Sequence, residues 1–189
     1  MRCYTKRGLL VAVMSTLGGM AATLRPAHAA ASARRIDQDV DLALRTLYSS
    51  QPKARDLGKR AKAVLIFPRI VKAGLLVGGQ SGDGALRAGS RTLGYYNISA
   101  ASYGLQAGVQ TFSYAMFFMT DSSLNYLKNS NGWALGSGPS VVVIDKGAAA
   151  NVNTTTLSQD VYAMPFGQRG LMAGIGLEGS KITHIHPGP

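Results

Sequence analysis

Ten lysines and arginines lie between Arg34 and Lys72 against four aspartates, Asp37, Asp39, Asp41 and Asp56, while the 117 residues that follow are close to neutral. Positive charge gathered at one end of a chain suits an acidic partner, either anionic lipid or nucleic acid. A solvated helix surface that only keeps the protein soluble explains the same excess. Within this stretch "SSQPKARDLGKRAKA" reads as a helix, with Ser50 as its cap and Pro52 in its first turn. At about 100° per residue, Ala54, Leu57 and Ala61 form one apolar stripe. Arg55, Lys59 and Lys62 then fall on one flank and Lys53 and Arg60 on the other, with Arg69 and Lys72 just beyond the first strand. These seven cations are the candidate contacts to an anionic surface.

Other chemistries find less to work with. "KAGLLVGGQSGDGAL", residues 72–86, carries five glycines, which raises the question of a phosphate-cradling loop. Such a loop needs Gly-x-x-x-x-Gly-Lys-Ser/Thr so that a lysine reaches the phosphates. Here no lysine follows the glycines, and Asp83 stands where an anion would sit. Ser137 in "LGSGPS" lacks the Gly-x-Ser-x-Gly elbow of a hydrolase. His184 and His186 share a strand face, but a structural zinc site takes four ligands and no Cys or acid nearby completes the set. A surface strand end is the simpler role for both. Asp83, Asp121, Asp145, Asp160 and Glu178 are scattered singly; Glu178, the only glutamate, is the acid most worth watching, or else a strand-edge partner for Arg169 or Lys181. Tyr95, Tyr96, Tyr103, Tyr114, Phe117 and Phe118 are separated from the basic region. Stacking on single-stranded nucleic acid wants aromatics interleaved with cations, so core packing is expected instead. No catalytic centre, metal site, cofactor or nucleic-acid partner is specified.

The elements that must position the cations begin after a leader. Arg2, Lys6 and Arg7 precede an uncharged run from Gly8 to Leu24, and Ala27-His28-Ala29 follows with the small-x-small pattern of signal peptidase. A run of 17 residues is short for a membrane span, which needs about 20, so cleavage after Ala29 is favoured over a retained anchor. The expectation is a signal peptide over 1–29, an exported, periplasmic protein with a membrane-associated option, and one domain over 30–189. The only cysteine, Cys3, lies in the leader, so the mature domain has no disulfide.

Ile36, Val40, Ala43, Leu44 and Leu47 mark a first helix behind Ser32 as N-cap. "VLIFP" switches to a strand ended by Pro68, and sheet-like patterning continues to about residue 119, with turns at "SGDG" and around "NISAAS". "TDSSLNYLKN" reads as a third helix capped by Thr120 or Asp121. "SVVVID" reads as a buried strand, "DVYAMPF" as an alternating one and "RGLMAGIGLEGSKITHI" as a last long strand or pair. Gly-Leu-x-x-Gly recurs at 74–78, 104–108 and 170–174, and Gly82 extends the first copy. On a strand, residues four apart share a face, so each copy bares the backbone for bending or close approach. Polar residues such as Gln80, Gln106 and Gln110 interrupt the pattern, which argues against a membrane helix pair. The fold expected is α+β, a small glycine-rich antiparallel β-barrel core with about three helices packed on its outside.

"AKAVLIFPRIVKAGLLVGGQSGDGAL", "SYGLQAGVQTFSYAMFFMTDSSLNYL" and "VYAMPFGQRGLMAGIGLEGSKI" resemble successive motifs of the SYLF domain family, also known as the yeast-type actin-binding domain. The likeness runs over roughly residues 40–184 and is most specific in "AGLLVGGQSGDG" and "RGLMAGIGLEGS". It departs from the family in "YYNISAASYGL", where a stretch richer in Gly and Pro is usual. The resemblance implies a β-barrel with helices on its surface, binding of phosphoinositide or other anionic lipid, no enzyme, and in fungal members actin binding. An exported chain would not meet actin, so that property is not carried over. Two readings stand: non-enzymatic binding of acidic phospholipid at a membrane surface, and an envelope adaptor that takes a protein partner on its glycine-rich sheet. The oligomeric state, the lipid and the partner are not set by the sequence.

Overall fold

The computed structural model describes residues 32–144, 158–170 and 179–188, apart from the side chains of 75–76 and 102–107. Helix α1 (Ala33–Ser50) starts as its apolar spacing predicts, with the Ser32 hydroxyl accepting from the Arg35 amide. Helix α2 (Pro52–Arg60) follows after one residue. Its N-cap is Gln51, not Ser50, which is the last residue of α1 and donates its hydroxyl to the Thr46 carbonyl at 2.8 Å. Pro52 takes the first helical position, where a missing N–H costs nothing.

Strands β1 (Ala63–Ala88) and β2 (Arg91–Phe118) form one very long antiparallel hairpin. The turns expected at "SGDG" and "NISAAS" are absent: both segments are strand, and Asp83 pairs with Asn97 across the ladder, accepting from its amide at 2.7 Å. The chain reverses once, at Gly89-Ser90, where Gly89 adopts φ +60°. Nor does Pro68 end its strand. The register slips between Phe67 and Ile70, a bulge that accommodates a residue without an N–H, and the Ser113 hydroxyl donates to the Pro68 carbonyl at 2.7 Å. The bulge also keeps Ile70 on the same face as Ala63, Leu65 and Phe67.

The glycines curl the hairpin rather than turn it. A Cβ at Gly82 would stand 2.5 Å from the Arg69 carbonyl oxygen, and one at Gly84 would overlap the carbonyl of Ile66. The two ends of β1 therefore lie against each other, and only a residue without a side chain fits between them.

Helix α3 (Asp121–Asn129) is capped by Thr120, whose hydroxyl accepts from the Ser123 amide. The short strands β3 (Trp133–Ala134) and β4 (Val141–Val143), then β5 (Val161–Gly170) and β6 (Lys181–Ile185), complete the described sheet. Its order is β3-β6-β2-β5-β4, with β1 on the other side of β2. The chain is α+β as expected, but the sheet is a curled half-barrel and not a closed barrel: among the described residues no pairing joins its ends. One pair, β4–β5, is parallel. Closure is not needed to cover the sheet, because both of its faces are packed. Ala63, Leu65, Tyr114, Met116 and Phe118 pack with Leu127 of α3 and Trp133 on one face. Val64, Ile66, Ala115, Phe117 and Met164 pack with Ile36, Val40, Leu47, Ala54 and Leu57 of the first two helices on the other.

The same two cores explain β5 and β4. "DVYAMPF" alternates between faces as predicted, yet every residue from Val161 to Phe166 is buried, because each face meets its own core. "SVVVID" reads as a buried strand, but β4 is an edge strand with Val142 and Val143 exposed, Val141 half-buried against one core and Ile144 tucked into the other. Tyr96, Tyr114, Phe117 and Phe118 are core residues, in line with the packing reading.

Arg87, almost fully buried, ties α1 to the tip of the hairpin. Its guanidinium donates to Asp41 at 2.8 Å and to the carbonyls of Ser90 and Asp37, and it lies 3.4 Å from the Asp37 carboxylate. Asp37 also accepts from Thr92 and Tyr95, each at 2.9 Å. Burial, and then the Asp37 carboxylate, push the Tyr95 phenol above its usual pKa.

Candidate functional site: a basic helix and an arginine-lined cavity

Helix α2 buries Ala54 and Leu57 as the stripe predicts, and Ala61 packs against the same core from just past its end. Gly58 lies directly against the Tyr48 ring, which lets α2 sit close on α1. The expected row of Arg55, Lys59 and Lys62 does not form on one helix. The backbone turns extended at Ala61, with ψ 141°, so Lys62 leaves the helical phase. Its ammonium instead meets Asp121 of α3 at 3.1 Å. Lys59 is 3.8 Å from Asp56, one turn earlier on its own helix. Both pairs are largely exposed, so each holds its lysine only weakly. Arg55 and Arg60 are exposed, Lys53 and Lys72 are half-buried, and Lys53, Arg60 and Lys72 each engage another group.

Arg69 goes elsewhere. It sits in the β1 bulge, opposite Ser113, and faces a cavity of about 600 Å³ between α1 and the sheet. The opening has a local cause. The β2–β5 ladder also slips, between Thr111 and Ser113, so both neighbours of β2 bulge at one level. Helix α1 crosses above this gap and lines it with Arg35, Asp39, Leu42 and Thr46, which the helical repeat places on one flank. Arg169 of β5 pairs with Thr111 on the far side. Phe112 and Phe166, both buried, form part of the lining.

Three guanidinium groups from three elements thus border one open cavity that contains a single acid, Asp39. No ion pair to Arg35, Arg69 or Arg169 is present among the described residues. The sequence reading included Arg69 and missed the other two. Arg35 lies in the basic stretch but carries no mark that separates it from Arg34, and Arg169 stands alone in "GQRG". Only the strand register brings them together.

The remaining chemical candidates stay apart. His184 and His186 are exposed, their rings 4.6 Å apart, and His184 stacks edge-on to Tyr96. Desolvation, and then the neighbouring His186, hold the His184 pKa below its usual value. Among the described residues no three His, Cys, Asp or Glu side chains gather as a metal site. Asp160 links the cap of α3 to Ser140 by hydrogen bonds to Thr120 and Ser140. Glu178, Asp145, the Tyr103 side chain and residues 1–29 lie outside what the structure describes.

The architecture is that of an α+β module built on one curled hairpin, with helices on the face that carries the cations. Residues 99–186 match the family model described as "Ysc84: Las17-binding protein actin regulator", in line with the SYLF resemblance read from the sequence. The match takes in most of β2, all of α3 and the strands that follow; α1, α2 and β1 precede it. A search of curated proteins returned no match. The family is associated with lipid binding and with actin regulation.

Proposed function

We propose that the protein is a non-enzymatic module that binds anionic lipid at a membrane surface, exported and held there peripherally. The observation that carries this reading is the exposed positive charge of the α1–α2 side, set against a nearly neutral remainder. No described helix is long and apolar enough to cross a membrane, so attachment by these helices would be superficial. Each cation near an anionic surface contributes about 1 kcal/mol at most, so three to five of them give roughly millimolar attachment. That weakness favours reversible residence.

A second reading rests on a different observation. Val77 and Val109 are more than 60% exposed in the middle of the glycine-rich hairpin, a surface an adaptor could offer to a protein partner in the cell envelope. Co-sedimentation with phosphatidylcholine vesicles, with and without phosphatidylglycerol, separates the two. The lipid reading expects pelleting only with the anionic vesicles. Equal behaviour with both vesicle types would overturn it and leave the adaptor.

A further inference from the structure

We infer that the cavity under α1 is a binding site for a phosphate monoester joined to an alkyl chain, held by Arg35, Arg69 and Arg169. The inference takes its ligand class from the lipid reading above and gives it a defined site, one that lies apart from the cations of α2. Three features of the cavity select the ligand.

The first is charge. Three guanidiniums and one carboxylate leave a net charge of two, and a phosphate monoester carries about −1.5 to −2 at neutral pH. Arginine forks match phosphate oxygens two at a time, and here they approach from a helix, a bulge and the strand beyond it. A ligand in the middle can therefore meet all three without competing for an existing ion pair among the described residues.

The second is the apolar part of the wall. Phe112, Phe166 and Pro68 line the cavity, and Leu42 on its α1 side is 61% exposed. A headgroup bearing phosphates all round would set polar atoms against these side chains. A single anionic head with a hydrocarbon tail satisfies the arginines with one end and covers Leu42 with the other. The third is size: about 600 Å³ holds a headgroup and the start of one chain, and the open form of the site lets the rest of a chain leave toward a bilayer.

Titration calorimetry with n-octyl phosphate tests the assignment, with inorganic phosphate as the head alone, n-octanol as the tail alone and inositol hexakisphosphate as a multiply charged competitor. Saturable binding of one octyl phosphate is expected, roughly tenfold or more tighter than either fragment. Losing two charge-assisted contacts in Arg69→Gln/Arg169→Gln should weaken it by roughly tenfold or more, with melting unchanged because both side chains are exposed. Thr46→Trp keeps every charge but fills the space, and it too should block binding. Octyl phosphate that binds no better than phosphate, tighter binding of the inositol compound, or variants that bind like wild type would each overturn the site. Sedimentation with anionic vesicles separates this from the broader reading. Wild type that pellets with vesicles but ignores octyl phosphate refutes the cavity alone, whereas failure to pellet refutes the surface reading itself.

Discussion

The basic helix α2 and the cavity beneath α1 hold similar numbers of cations and differ in almost everything else. On α2 the charges are dense in sequence and stand on a convex face, where Lys59 shares Asp56 and neighbouring Lys62 is drawn to Asp121. In the cavity Arg35, Arg69 and Arg169 are distant in sequence, come from three elements and surround a partly apolar hollow. A convex face attracts any anionic surface and is screened by salt; a concave cluster recognises one group by its shape. Charge density along a chain therefore finds the first kind of site and overlooks the second.

The largest expected effect removes both regions at once. Gly84→Val places a side chain against the Ile66 backbone, which cannot move aside within a two-faced core, and should cost about 3 kcal/mol or more. Gly188→Val meets nothing within 4 Å and should melt like wild type. Gly174, the glycine that the sequence pattern would have chosen for this test, lies outside the described residues. Equal melting of the Gly84 and Gly188 variants would show that the curl does not depend on bare backbone.

Next in size is Arg87→Met, which leaves Asp37 and Asp41 without their buried cation. Loss of these charge-assisted bonds should cost about 1.5–3 kcal/mol. Because α1 roofs the cavity and α2 carries its own charges, octyl phosphate affinity should fall while vesicle attachment holds. A parallel loss of both would merge the two regions into one site. Arg55→Glu/Lys59→Glu should do the reverse, lowering attachment to anionic vesicles by roughly tenfold or more while leaving octyl phosphate titrations unchanged.

Two smaller effects sharpen the picture of the α2 side and the far edge. Lys62→Ala should shift stability by less than about 1 kcal/mol, since its pair with Asp121 is exposed; a larger drop in denaturant midpoint would mean that the α2–α3 link is structural. His184 has a folded-state pKa below its unfolded one, so the unfolded chain binds more protons. Stability should therefore fall slightly as pH drops from above about 6.5 through the lower folded value. His184→Gln should flatten that part of the melting-temperature curve, and an unchanged slope would exclude this histidine as its source.

Much of the fold is legible in the chain, for local reasons. Ser32, Thr120 and Pro52 announce their helices, and the spacing of Ile36, Val40 and Leu47 gives the buried face of α1. The hairpin is harder to read. Gly82 and Asp83 look like turn residues, and only the long-range contact with Ile66 and Arg69 shows that they belong to a bend within a strand. Closure of the sheet was misjudged for a related reason: alternation in β5 reveals two faces but not that each has a core of its own. At the site, Arg69 could be nominated from the basic stretch, whereas Arg35 and Arg169 depend on two register slips at one level of β2. No local pattern encodes that coincidence.

The account turns on attraction between the α1–α2 side and an anionic surface, and a salt titration of vesicle binding tests it most directly. Wild type is mixed with phosphatidylglycerol-containing vesicles and the bound fraction is followed as salt rises from 0.1 M to 1 M. As the Debye length shrinks from about 10 Å to about 3 Å, binding should fall steeply, and neutral vesicles should bind little at any salt. Binding that persists at high salt, or that is equal on neutral vesicles, would contradict the account.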